Sequence, residues 1–148
     1  MTNKINMTHI DQVGTVFVPV SDQDRALDFY LNILGFEKRT DASYGGGKRW
    51  IEVAPPLSSI NIALVPSDEG VPSIDDRTYC AFSTKDIESD FETLQTRGVD
   101  IVDTQIGQTD TSRLGLISTE VVIKDPMPPQ FSFRDPDGNR FLIVQINE

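Results

Sequence analysis

The chain has 148 residues, enough for one domain or for two small modules that share a core, and its 38% hydrophobic and 24% charged residues make an ordinary folded mix. Thirteen Lys and Arg against 23 Asp and Glu leave a formal charge of -10. That charge excludes a general nucleic-acid binder, which needs clustered basic side chains, and disfavours docking to an anionic membrane. An acidic surface otherwise serves solubility or attracts a cationic guest.

The single cysteine, Cys80, allows no internal disulfide and, with apolar neighbours, reads as a small buried hydrophobe in a reducing compartment. No stretch reaches the roughly 18 consecutive apolar residues of a membrane span. The first ten residues, MTNKINMTHI, lack the apolar segment of a secretory signal, so the expected location is cytoplasmic. There is one histidine, His9. A three-histidine zinc site and a two-histidine iron site therefore cannot be assembled within one chain. A Ser-His-Asp arrangement would have to use His9, in a polar N-terminal stretch.

In chain order, Thr15 to Val20 (TVFVPV) is a β-branched apolar run and predicts a strand, with Pro19 marking it as an edge. Ser21 or Asp22 can cap a following helix whose apolar face is Ala26, Leu27, Tyr30, Ile33 and Leu34, and Gly35 ends it. Strands are predicted at Phe36 to Ala42, Arg49 to Ala54 and Ile60 to Val65. Ser67 to Asp76 reads as a linker. The pattern then restarts with a strand at Thr78 to Thr84. A helix follows, capped by Asp86, carrying Ile87, Phe91 and Leu94, and ended by Gly98. Further strands are predicted at Val99 to Val102, Gln130 to Phe133 and Phe141 to Ile146, the last two joined by the turn Asp135-Pro136-Asp137-Gly138-Asn139. Thr104 to Pro129 is long for a connection; its apolar Glu120 to Ile123 suits an extra strand, and the segment is expected to fold over the sheet as a lid.

Strand, acidic cap, helix, glycine and then strands thus occur twice. FYLNILGFE parallels FETLQTRGVD, with 13 positions from Asp22 to Gly35 and 12 from Asp86 to Gly98. The expected fold class is α+β, a tandem βαβββ duplication within one domain of residues 1–148, with modules at 13–66 and 77–147. Neither half alone could bury its helix face and sheet.

The segment VPVSDQDRALDFYLNILGFE, the repeat, and the closing FRDPDGNRFLIVQ resemble the vicinal oxygen chelate superfamily, which includes glyoxalase I, extradiol dioxygenases, fosfomycin-modifying enzymes and bleomycin-resistance proteins. The resemblance runs from about Gly14 to Ile146. It implies that each module curls its sheet into half of an open, incomplete β-barrel whose concave face holds the ligand, and that the chain is a homodimer. It also implies a divalent metal held by four strand residues, commonly His, Glu, His, Glu. In this sequence the four positions are Thr15, Ala63, Tyr79 and Leu142. Leu142 and Ala63 offer no donor atom, and a neutral Tyr79 phenol is a poor ligand. No metal and no other cofactor is therefore expected.

Alternation puts Trp50, Glu52 and Ala54 on one strand face and Arg49, Ile51 and Val53 on the other. Glu52 is either part of a solvated face or a pocket residue. Arg134, Asp135 and Asp137 either build the turn or form a polar cluster at the barrel mouth. The expected hollow is lined by Thr15, Phe17, Trp50, Glu52, Tyr79 and Leu142, with Ala81 and Val144 beside them, and it suits a small aromatic or amphipathic ligand. Three functions fit this lining. One is a protein that binds a small molecule without a metal, of the sequestration or resistance type. Another is a glyoxalase-like lyase or isomerase with a relocated metal or with Glu52 as catalytic acid–base group. The last is a ligand-free regulatory or scaffold dimer. One histidine disfavours a dioxygenase.

Overall fold

The computed structural model of the chain describes residues 8–67, 77–104 and 128–146. The expected linker and the expected lid with its extra strand lie, apart from their ends, outside the described residues.

Two four-stranded sheets carry the fold. In the first, β1 (Thr15–Val20) runs parallel to β4 (Asn61–Pro66), which pairs antiparallel with β3 (Lys48–Ala54), and β3 pairs antiparallel with β2 (Glu37–Gly45). The second repeats that order: β5 (Thr78–Thr84) beside β8 (Arg140–Gln145), then β7 (Gln130–Arg134), then β6 (Asp100–Thr104). β1 is an edge strand, which is where Pro19 can omit its ladder donor. The edges β1 and β5 lie against each other. This is the α+β architecture of two open βαβββ units that the repeat predicts.

After β1 the chain enters α1 (Gln23–Asp28), capped by Asp22, whose carboxylate accepts from Arg25 N at 3.0 Å. The predicted uninterrupted α-helix is not found. From Phe29 to Ile33 the chain widens into a π turn, with Leu34 N donating to Phe29 O at 3.0 Å. The turn lets two consecutive aromatic residues face the core. Phe29 reaches Phe133 at 6.4 Å between ring centroids, and Tyr30 reaches Phe141 at 6.1 Å. Gly35 then takes a φ of 81°, a left-handed value that only glycine adopts without strain. α2 (Ile87–Thr96) is regular, with Asp86 accepting from Ser89 N at 3.1 Å and Gly98 as the left-handed stop.

Strand alternation sorts the side chains. Val18, Val20, Ile51, Val53, Ile62 and Leu64 turn to the helix side of the first sheet, and Phe131, Phe133, Phe141 and Ile143 to that of the second. With the helix residues they form one hydrophobic cluster drawn from both halves of the chain. Cys80 packs against this cluster half-buried, and burial pushes its thiol up to about 11. Its reaction with a thiolate-specific reagent at pH 8 should therefore run at least tenfold slower in the native protein than in denaturant. Equal rates would show that the thiol is not shielded.

Candidate ligand-binding site

The opposite faces of the two sheets carry the residues singled out in the sequence. Across the first sheet one row reads Phe17, Ala63, Glu52 and Thr40, each opposite the next on a neighbouring strand. Trp50 precedes Glu52 by two positions and shares its face. Phe17 is 59% exposed, and its ring meets Trp50 edge-on at 5.9 Å. A phenylalanine this exposed does little for folding, while Ala63 beside it is fully covered. Thr15 lies one row away, half-buried opposite Asn61.

Glu52 is half-buried and is held in place. Its Oε1 accepts from Thr40 Oγ1 at 3.1 Å and from Asn61 Nδ2 at 3.5 Å. Asn61 is oriented in turn by Arg39, whose Nη1 donates to Asn61 Oδ1 at 3.0 Å and to Ser58 O at 2.6 Å. Thr40, Asn61 and Arg39 were not singled out in the sequence. The signal was there only as Glu52 itself, an acid in a strand interior, because partners on neighbouring strands depend on register.

In the second sheet the equivalent row reads Ala81, Leu142, Ser132 and Asp103. Ser132, buried, stands where the first sheet has Glu52. Leu142 is half-buried on this face. Tyr79 is placed differently from the expectation. A register shift between Thr78 and Cys80 leaves it out of the ladder, and its ring packs on the core side against Phe141, at 6.2 Å between centroids, with Arg77 over it at 4.8 Å. The bulge reverses the alternation on which the expectation rested. Ala81 and Ser83 are the β5 residues that share the face of Leu142.

The closing turn is structural and also joins the two halves. Asp135 is buried and accepts from Tyr30 Oη at 2.7 Å, Asn139 Nδ2 at 2.9 Å, and the backbone N–H groups of Asp137 and Asn139 at 2.9 Å. Asn139 Nδ2 also reaches Pro19 O at 2.8 Å. Asp137 accepts from Ser21 Oγ at 2.6 Å and pairs with Arg25. Arg134 Nη1 donates to Gly138 O at 3.2 Å, within the same turn. Burial raises the Asp135 carboxyl above its ordinary range, and the bonds from Tyr30 and Asn139 offset this only in part. A separate cleft of about 170 Å³ lies on the helix side, between Leu34 and Phe36 of one half and Phe82, Leu94 and Arg97 of the other. It shares none of the expected ligand residues. His9 is exposed in the stretch before β1, and among the described residues no helix is long and apolar enough to cross a membrane.

The fold and this pair of open faces define a class. The family model described as Glyoxalase/Bleomycin resistance protein/Dioxygenase superfamily matches residues 9–143, and the chain belongs to that superfamily. Among solved structures, the chain is 30% identical to TnmS3, an antibiotic binding protein from Streptomyces sp. CB03234, with a TM-score of 0.69 over 95% of this chain and 99% of that one. Against the fosfomycin resistance protein FosX from Listeria monocytogenes, crystallised as a point mutant with Mn(II), the TM-score is 0.63 at 15% identity, over 93% and 92% of the chains, a likeness of fold. The Bacillus subtilis (strain 168) protein YetH is 28% identical over 136 residues, 92% of this chain and 99% of that protein.

The superfamily implies a divalent metal, and the donor chemistry here does not fit one. Of the four positions, Ala63 and Leu142 carry no lone pair, Thr15 offers only a hydroxyl, and Tyr79 is turned to Phe141. Among the described residues no group of three or more His, Cys, Asp or Glu could hold an ion.

Proposed function

We propose that the protein binds a small aromatic or amphipathic molecule in the hollow between its two sheets, without a metal, as a sequestration or resistance protein. The observation that carries this reading is the Phe17–Trp50 pair. Two large rings meet edge-on outside the hydrophobic cluster, over a floor of Ala63, with Phe17 mostly exposed. Rings left open beside a small residue offer stacking area that the fold itself does not use. The likeness to an antibiotic binding protein at 30% identity supports the same reading. Thr15, Glu52, Leu142 and Val144 supply the rest of the proposed wall.

Trp50 is the chain's single tryptophan, so its indole N–H resonance reports on the site without ambiguity. Titration with fused-ring aromatics should shift that resonance saturably, and dialysis against EDTA should change the affinity by less than about twofold. A ligand that binds only after a divalent metal is restored would overturn the metal-free reading.

The proposed assembly is a homodimer in the cytoplasm, where a reducing milieu suits the lone Cys80 thiol. An open half-barrel with exposed apolar side chains gains by being covered with a second copy. Light scattering should give twice the mass of one chain; a monomer at micromolar concentration would contradict this.

A further inference from the structure

We propose that Glu52 sets the specificity of the hollow, selecting a planar ring that carries a protonated amine one carbon away from it. This inference rests on the binding reading above and adds the chemistry of the guest.

Several of the acids near the first sheet have counter-charges, while Asp22 and Asp28 on the helix accept from the neutral donors Arg25 N and Asn32 Nδ2. Asp41 pairs with Arg49 and Lys38, Asp24 with Arg49, Glu37 with Arg39, and Asp137 with Arg25. Glu52 differs from the paired acids: its hydrogen bonds among the described residues come from the neutral donors Thr40 and Asn61, and both go to Oε1. A half-buried carboxylate held this way is fixed in direction, and neither of these bonds goes to its Oε2. The relay from Arg39 through Asn61 fixes the amide with its oxygen toward the guanidinium and its nitrogen toward Glu52. The carboxylate is thereby held in one place before any ligand arrives.

Distances set by the sheet fit one guest geometry. Glu52 and Trp50 are two residues apart on β3, about 7 Å along the strand. Phe17 is two strands from Glu52 with Ala63 between, about 10 Å across. The trough over Ala63 is therefore bounded by rings on one side and by a single negative charge on the other. The two rings are nearly perpendicular, so a planar guest stacks on one and meets the other edge-on, and from there a substituent one carbon long is aimed at the carboxylate, where a charged hydrogen bond forms. The second sheet carries Ser132 at the matching position, so the selective charge is on one half only.

The test uses three naphthalenes of nearly equal shape, 2-(aminomethyl)naphthalene, 2-naphthalenemethanol and 2-naphthoate, followed through the Trp50 indole resonance and by calorimetry. The ammonium should bind about tenfold tighter than the alcohol, the size of one charged hydrogen bond, and the carboxylate weakest. In Glu52→Gln the preference should shrink to about twofold or less. Glu88→Gln, which removes the same charge from an exposed helix position, should leave it unchanged. Equal binding of ammonium and alcohol by the wild type, or a preference that survives Glu52→Gln, overturns the role of Glu52 while leaving the hollow a binding site. Failure of all three to shift the indole at millimolar concentration overturns both readings.

Discussion

Replacing Asp135 by alanine should lower the unfolding free energy by about 4 kcal/mol, read as a shift of the denaturant midpoint at constant slope. The size follows from what the carboxylate satisfies. Four donors converge on it: the Tyr30 hydroxyl, the Asn139 amide, and two backbone N–H groups of the closing turn. Tyr30 and Asn139 are fully buried, so their donors would be left without water or partner. Tyr30→Phe removes one donor and leaves the carboxylate three, so it should lower stability by only about 1 kcal/mol. The double variant should fall short of the sum of the singles, because the two share one bond. Asp135 belongs to the turn before β8 and Tyr30 to the π turn after α1, so this bond ties the two repeats together. Both halves contribute to one hydrophobic cluster, and a single cooperative transition is expected for the wild type and both variants.

The same residue gives a pH dependence of definite sign. Its folded pKa is raised above the ordinary carboxylate value of 3.8, so the native state holds the proton more tightly than the unfolded chain does. Stability from this group is then complete below the unfolded value and is lost as pH rises through the raised folded value. Wild type should gain on Asp135→Asn as pH is lowered through that window. A gap that narrows on acidification would show that the four hydrogen bonds, and not burial, dominate this carboxyl.

Phe17→Ala should weaken binding of a fused-ring aromatic by about 30-fold, or about 2 kcal/mol, while leaving the unfolding midpoint nearly unchanged. The two halves of that expectation have one cause. A ring 59% exposed in the free protein contributes little to the folded core, so removing it opens no cavity. It contributes to binding because a guest covers it. Equal losses of stability and affinity would mean that Phe17 is part of the core, and unchanged affinity would remove the ring pair from the site.

Most of the fold could be read from the sequence. The runs rich in β-branched and aromatic residues that begin at Thr15 and Thr78 give strands at the predicted positions, and the capping acids Asp22 and Asp86 act as predicted, because these are local signals. The candidate site was legible only in part. Trp50 and Glu52 share a face because alternation over β3 is unbroken. Tyr79 failed where a bulge inserted one residue, which no periodicity reveals. Tyr30 reads in sequence as one more apolar helix position; its hydroxyl finds Asp135 across 105 positions of chain, a contact set by tertiary packing alone.

The π turn explains a small mismatch between the repeats. Cap to terminal glycine takes one residue more in the first helix than in the second, and the first is the one whose winding is relaxed. Deleting Phe29 would restore even winding there but swing the Tyr30 hydroxyl by about 100° around the axis, away from Asp135. Insertions and deletions among related chains should thus be tolerated in the connections and be rare between Asp22 and Gly35.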